Sequence, residues 1–421
     1  MKKMKRAKML AAVLGVAAVF AVQDVFAGGG NQPSSAGTQT ITLWYWDDLV
    51  SADYAGLIKE FEAANPGIKV QKSVTPWADY WTKLQTALPT GTGPDVFWLN
   101  HPNAVSYLPT GHIMDLEPWA GDIHFENFNE RFYQPFTYQG KRYAVPFMWD
   151  DIVLFYNKTA FDKAGVDYPN SNWTWDDYYG AAQKLTVKNG NTTVQYGVLV
   201  QGSMQSGVGS FIYQNGGSVY NSDKTRLTLN TPEVKEAIQR QIDMINGGFA
   251  PTQQEVSEST ADSLFMSGAV AMMPNLSIRV SHYAEVLGQD VRVAPLPKQK
   301  RQGTIYHNIA YAVSAKTKYP EAARKFLAFA ASKRAAELVS KTFVPCYNGM
   351  AERYFQEYSW ADVRYIPDSI NYGFPLPIAS KNAGAVWTLL ENEMAKIYAS
   401  AGQVGDKLAD LEAQVNAAIN K

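Results

Sequence analysis

The sequence predicts an α/β protein in which parallel strands are covered by helices, and three features carry that expectation. Strand-like and helix-like stretches alternate from Ile41 to Asn100. At 421 residues the chain exceeds what one hydrophobic core organises, so it should divide into two lobes. A long apolar run, RYAVPFMWDDIVLFYN at 142–157, is broken halfway by the adjacent carboxylates Asp150 and Asp151. Two acids inside a strand are costly unless paired or solvated, so water or a polar ligand must reach the middle of that run.

Taken in order, Ile41 to Trp46 is a β-rich apolar stretch, and Ser51 to Ala64 carries apolar residues at helical spacing up to the stop signal Asn65-Pro66-Gly67. Ile68 to Val74 is strand again. Pro76-Trp77 opens a helix to about Leu88, and Thr90-Gly91-Thr92-Gly93 turns the chain into the strand Pro94 to Asn100. This βαβαβ series is the signature of an open parallel sheet. Further on, Thr174 with Asp177 three residues later is a capping-box variant. A strand at Val194 to Val200, a helix near Ser210 to Gln214 and a helix from Pro232 to Asn246 closed by Gly247-Gly248 follow. Strands are expected at Ala269 to Met273, ending in Pro274, and at Val291 to Pro297 and Ile309 to Ser314. Tyr319 to Lys333 reads as an amphipathic helix, and the chain from about Val386 onward as mostly helical.

Lys+Arg 38 against Asp+Glu 39 leaves no global field to attract nucleic acid, so that class of partner is excluded. Aromatics make up 13% of the chain, with Tyr 24 and Trp 11; such side chains stack on flat apolar faces while offering a polar edge. The first residues combine a basic cluster (Lys2, Lys3, Lys5, Arg6, Lys8), an apolar run from Met9 to Val22 and small residues, the pattern of a secretory signal peptide over 1–27. That run is shorter than the roughly 20 residues a membrane anchor needs. Residues 28–40 read as a polar tether. The single cysteine, Cys346, excludes a disulfide within the chain and leaves no cysteine near the leader for a lipid anchor, which favours a periplasmic location.

Ligands of open parallel sheets bind beyond the carboxyl ends of the strands. Those ends carry Trp44, Trp46, Asp47 and Asp48 after the first strand, and Trp98, Asn100 and His101 after the third. Neither set is a phosphate cradle, because no Gly-rich loop with a following Lys is present. The five histidines (His101, His112, His124, His282, His307) are scattered without metal-ligand spacing, and no Gly-x-Ser-x-Gly elbow occurs, so no cofactor or metal is expected.

The segments ITLWYWDD, IKEFEAANPGIKV, GTGPDVFWLN, GKRYAVPFMWDDIVLFYNKTAFDKAG, WTWDDY, FMSGAVAMM and YAVSAKTKYPEAARKFLAFAAS occur in one order over nearly the whole chain after the leader. As a set they resemble the family 1 extracellular solute-binding proteins of ABC importers, the maltose-binding protein group. The resemblance implies a type II periplasmic-binding-protein-like fold. Its two α/β lobes, 41–148 with 297–343 and 149–296 with 344–421, are joined by hinge strands around a cleft that closes on one ligand. It also implies that the strand 143–156 leaves one lobe and enters the other, which puts Trp149 and Asp150 at the cleft floor. The implied partners are a carbohydrate and the transmembrane subunits of an ABC permease, and the protein is expected to act as a monomer and to perform no chemistry.

Segment by segment, the resemblance implies ligand contacts from Trp46, Asp47 and Asp48; from Trp98, Asn100 and His101; from Trp149 and Asp150; from Asn275, Ser277 and Arg279; from Tyr306, His307 and Asn308; and from Tyr347. A carboxylate accepts hydrogen bonds from neighbouring sugar hydroxyls, and an aromatic ring packs on the C–H face of a pyranose. The chain departs from the maltose-binding pattern at His101-Pro102, and at Asn275-Leu-Ser-Ile-Arg279, which lacks a stacking Trp. Both departures argue against maltose itself. Other readings stay open: core packing for Trp44 and Trp98, a salt bridge or an anion clamp for Arg279, a solvated loop for Tyr306 to Asn308. Asp95, in a Gly-Pro-Asp turn, and Asp151, facing away from Asp150, are read as structural. A glycoside hydrolase needs two carboxyl groups across the scissile bond, which Asp150 and Asp151 cannot supply from opposite faces, although Asp48 with Asp150 can. A polyamine would want Asp47, Asp48 and Asp150 with aromatic walls, and a phosphorylated polyol would want Arg279.

Overall fold

The computed structural model describes residues 37–46, 51–400 and 404–420. The leader, most of the tether, Asp47 and Asp48 lie outside the described residues. Nine strands build the main sheet: β1 (Gln39–Tyr45), β2 (Ile68–Val74), β3 (Val96–Asn100), β4 (Ala144–Asn157), β5 (Met272–Leu276), β6 (Val291–Ala294), β7 (Ile305–Val313) and the two-residue β8 (Val344–Pro345) and β9 (Phe374–Pro375). Its main path runs β6-β4-β7-β3-β1-β2. The helices used below are α1 (Ser51–Ala64), α2 (Trp77–Thr90), α3 (His101–Tyr107), α4 (Trp175–Leu185), α5 (Pro232–Asn246), α6 (Pro320–Ala330), α7 (Lys333–Val339), α8 (Ala383–Ala399) and α9 (Gly405–Ile419).

β1 pairs in parallel with β2 and β3, the βαβαβ unit the sequence predicts. The strand broken by two acids proves to be a single 14-residue strand, β4, buried from Ala144 to Tyr156. Its two halves have different neighbours. Ala144 to Asp151 pair antiparallel with β7, whereas Ile152 to Tyr156 pair with β5 and Leu154 to Asn157 with β6. The register with β7 slips next to Pro146, a residue with no N–H to give to a ladder. Because side chains alternate, Ile152, Leu154 and Tyr156 join one core with Trp175, Tyr178, Ile238 and Ile242 and with Val386, Leu390, Leu408 and Leu411 of α8 and α9. Val153 and Phe155 pack the other way, towards Phe265 and Tyr283. Around β1, Ile41, Leu43 and Tyr45 share a core with Leu57 and Phe61 of α1 and Phe326 of α6, and the far face is filled by Tyr80, Leu84, Phe97 and Leu99.

Local chemistry explains most boundaries. Thr174 and Asp177 form the expected capping box at α4, and Thr231 caps α5 with Pro232 at its first position. Asp95 ties β1 to the turn before β3, accepting from the Thr42 N–H at 2.8 Å and its hydroxyl at 3.0 Å. Several expectations shift: β6 ends at Ala294, short of Pro297, and β7 begins at Ile305, ahead of Ile309, so that Tyr306 to Asn308 are strand. The strand at 194–200 is confined to Thr192–Gln195, in a hairpin with Val187–Asn189. The buried residues after it bond irregularly, with the Leu199 N–H donating to the Met272 carbonyl, and Gly197 sits against the Ala182 carbonyl, where a Cβ would stand 1.9 Å away. The helix expected over 319–333 is two helices, since Ser332 caps a new one, α7. β5 runs through Pro274 because it pairs with β4 alone and needs no N–H on its other side.

Candidate functional site

The sheet sets the floor of a cleft of about 1090 Å³. β4 and β7 are antiparallel neighbours in a register that places Asp150 opposite His307. The His307 Nδ1 bonds the Asp150 carboxylate, and the two side chains are 10% and 3% exposed. This pairing resolves the cost of an acid inside the strand. The next residue, Asp151, faces the other way and is satisfied differently. Its N–H donates to the Ser277 hydroxyl at 3.3 Å, and burial pushes its carboxyl up to about 7, with hydroxyl bonds from Ser369 and Ser277 pulling down and the Asp150 charge adding to the rise. Asp151 is thus a buried acid behind the floor that holds its proton far above the usual carboxylate range.

An indole cluster forms one wall. Trp46, just after β1, meets Trp77 at 5.2 Å and Trp81 at 5.4 Å between ring centroids. Trp77 and Trp81 share a face of α2 because they are four residues apart at its start. Beside them Asn100, at the end of β3, caps α3 by accepting from the Asn103 N–H at 3.2 Å and from its side-chain amide at 2.8 Å. Further lining comes from Gln205, from Leu276 at the end of β5 with Ile278 and Arg279 beyond it, and from the first turns of α8, including Trp387.

Of the expected ligand contacts, Trp46, Asn100, Asp150, Arg279 and His307 line this one cavity. Asp47 and Asp48 lie outside the described residues, and the other described ones are turned elsewhere, several of them by strand alternation. Trp149 packs its ring on Phe132 at 5.4 Å, Tyr306 is buried in the core, and Asn308 donates to the Phe132 carbonyl at 2.6 Å; all three flank cleft residues and so point away. Trp98 is set apart by depth, in the core packing that the sequence left open. It shares a strand face with Asn100 but lies two residues deeper, 1% exposed beneath Trp46 and Phe147, its indole N–H donating to the Tyr54 hydroxyl at 2.7 Å. Asn275 bonds the Tyr283 hydroxyl at 2.7 Å behind β5, Ser277 is sealed against Asp151, and Tyr347 packs on Phe128 at 5.8 Å. His101 is buried next to the cleft residues Asn100 and Pro102. Burial first, then the charges of Lys224 and His307, hold its imidazole low at about 3, so it is neutral.

Trp77, Trp81, Asn103, Gln205 and Trp387 line the cleft without having been singled out in the sequence. The first two had a signal: PWADYW places two indoles at helical spacing just past a strand's carboxyl end, where the crevice opens. Trp387 comes from a distant helix that no local pattern links to the cleft. Among the described residues, Asp150 is the one carboxylate lining the cavity, and no group of three or more His, Cys, Asp or Glu is arranged to hold a metal ion. No helix among them is long and apolar enough to cross a membrane.

The sequence profile described as bacterial extracellular solute-binding protein matches residues 46–337. The chain is similar to the arabinooligosaccharide-binding protein of Bacillus subtilis (strain 168), with 28% identity over 321 residues covering 73% of this chain and 72% of that one. Among solved structures it is similar to an ABC substrate-binding protein from Listeria monocytogenes in complex with cycloalternan, at 26% identity and a TM-score of 0.84 over 91% of this chain and 99% of that one. It shares its fold with the GacH receptor of Streptomyces glaucescens, at 21% identity and a TM-score of 0.79 over 91% and 99% of the two chains. The architecture is the type II periplasmic-binding-protein-like fold, two α/β lobes joined by hinge strands around a cleft. The chain belongs to the bacterial extracellular solute-binding protein family.

Proposed function

We propose that this protein is the substrate-binding receptor of an ABC importer, exported to the periplasm after removal of residues 1–27, and that it captures a sugar or oligosaccharide by closure of its lobes, 41–148 with 297–343 on 149–296 with 344–421. The observation that carries the reading is the meeting in one cavity of the indoles of Trp46, Trp77 and Trp81 with the paired Asp150 and His307. A pyranose has apolar C–H faces for the indoles and a rim of hydroxyl donors for the carboxylate. The volume, about 1090 Å³, lies just above the roughly 300–1,000 Å³ of small-molecule pockets, which gives room for more than one sugar unit. The relatives named for arabinooligosaccharide and cycloalternan binding support the same ligand class.

Binding is the output. A ligand that touches both sides of the cleft favours the closed form by its extra contacts there, and the closed form is what a permease would distinguish. A hydrolase would need a second carboxyl group across the bond, and the described lining offers Asp150 alone, already engaged by His307. The same shortage of acids, with Arg279 nearby, disfavours a polyamine. Titration with mono- and oligosaccharides, followed by calorimetry and tryptophan fluorescence, tests the reading. Saturable heat and a fluorescence change are expected with a saccharide; binding of spermidine or putrescine, with no response to any saccharide, refutes it.

A further inference from the structure

One charge in the cleft is unbalanced. Arg279 lines the cavity half-buried, and among the described residues its guanidinium has no hydrogen-bond or ion-pair partner. The other arginines among the described residues that are not exposed all have one: Arg142 with Glu117, Arg240 with Asp176, Arg292 with the carbonyls of Gln289 and Val291, and Arg324 with Glu321 and Asp122. The only lining carboxylate among the described residues, Asp150, is held by His307 and not by Arg279. Closing a cleft strips water from such a guanidinium, and an ion desolvated without a counter-charge opposes closure.

We infer that the ligand brings the missing anion: a saccharide bearing a carboxylate, as in a uronic acid unit, that docks on Arg279. This rests on the proposal of a sugar receptor and narrows it to acidic saccharides. The planar guanidinium fork matches a carboxylate through two parallel N–H···O bonds. A phosphate monoester carries more charge than one guanidinium balances, and a second cation does not line the cavity among its described residues, so the carboxylate is the better fit.

Calorimetry of the full-length protein with uronate oligosaccharides, such as galacturonate and glucuronate-containing trimers, decides the matter when each is run beside its methyl ester, which keeps the skeleton and removes the charge. The acid should bind at least about tenfold more tightly than its ester, and the preference should shrink as salt rises from about 0.05 to about 0.5 M. Arg279→Gln should cut the preference to within about threefold, and Arg279→Lys should keep part of it; matching melting temperatures establish that the variants fold, and if they do not, the wild-type comparison of acid with ester decides alone. Binding of neutral saccharides with no preference for any acid overturns the inference and leaves the sugar receptor standing. Tighter binding of glucose 6-phosphate or glycerol 3-phosphate than of every uronate overturns it too. Silence from all saccharides, neutral and acidic, overturns both.

Discussion

Asp150→Asn isolates the charge at the cleft floor from its shape. The side chain is 3% exposed and bonded to His307, so truncation to Ala would also strand a buried imidazole and confound the result. Asn keeps the volume and one acceptor oxygen. Hydrogen bonds to a charged group contribute about 1.5–3 kcal/mol and neutral ones about 0.5–1.5 kcal/mol, so each bond to Asp150 should weaken by about 1–1.5 kcal/mol. One such bond is internal, to His307, and lowers stability by about that amount. The second is the bond proposed to a ligand hydroxyl, where the same loss is roughly a tenfold rise in Kd. Differential scanning calorimetry reads the first and isothermal titration at 25 °C, with both proteins folded, reads the second. A Kd within twofold of wild type, alongside the expected drop in melting temperature, would show that Asp150 serves the hinge strands and not the ligand.

Trp81→Ala should weaken saccharide binding by about tenfold, since stacking adds about 0.5–1.5 kcal/mol beyond area burial, with little change in melting temperature; fluorescence titration showing unchanged affinity rejects an indole subsite there. Trp98→Ala should do the reverse, removing about 3–5 kcal/mol of stability by leaving a cavity under Trp46, so a variant that melts like wild type contradicts its place in the core. Asp151, raised from 3.8 to about 7, stays protonated in the fold where the unfolded chain ionises, so its contribution to stability is fullest below about pH 4, falls as pH rises towards 7 and levels off above. Against wild type, Asp151→Asn should remove that contribution to the slope of melting temperature from pH 4 to 8, while Glu391, also raised to about 7 by burial, keeps its own; an unchanged slope sinks the assignment. Gly197→Ala should be markedly destabilising, because the added Cβ meets the Ala182 carbonyl at 1.9 Å, and a wild-type denaturation midpoint would refute that close approach.

What the sequence made legible follows from how local each signal is. The βαβαβ unit, the capping box at Thr174 and the ends of α1 and α5 rest on periodicity and terminal chemistry within a few residues, and the structure reproduces them. The acid pair at 150–151 pointed to a polar break in an apolar strand, and β4 changes neighbours at that point, from β7 to β5 and β6. Of the expected contacts that lie outside the cleft lining, those on β4 and β7 share a cause. A tripeptide such as Tyr306-His307-Asn308 lies near the cleft as a unit, but strand alternation admits only its middle side chain, and which parity faces the cleft is fixed by register with β4, a long-range property. Trp98 fails on depth instead, since nothing local says that Trp46 will cover it.

The floor and the walls of the cleft depend on different parts of the fold, and this bears on what kind of ligand the receptor takes. Asp150 and His307 face each other through the β4–β7 ladder, so their spacing belongs to the sheet and does not depend on where the walls stand. The indoles belong to β1 and α2, while Arg279 and Trp387 follow β5 and open α8. A small ligand resting on the floor with one wall gains nothing from closure, because its contacts are the same in the open form, and a ligand shifts an equilibrium only by its difference in affinity between the two states. Only a ligand long enough to reach from the indole cluster past Asp150 to the guanidinium gains free energy on closing. Closure and ligand length are therefore coupled in this cleft, and a monosaccharide that closed it as completely as an oligosaccharide would show that the walls are not both engaged.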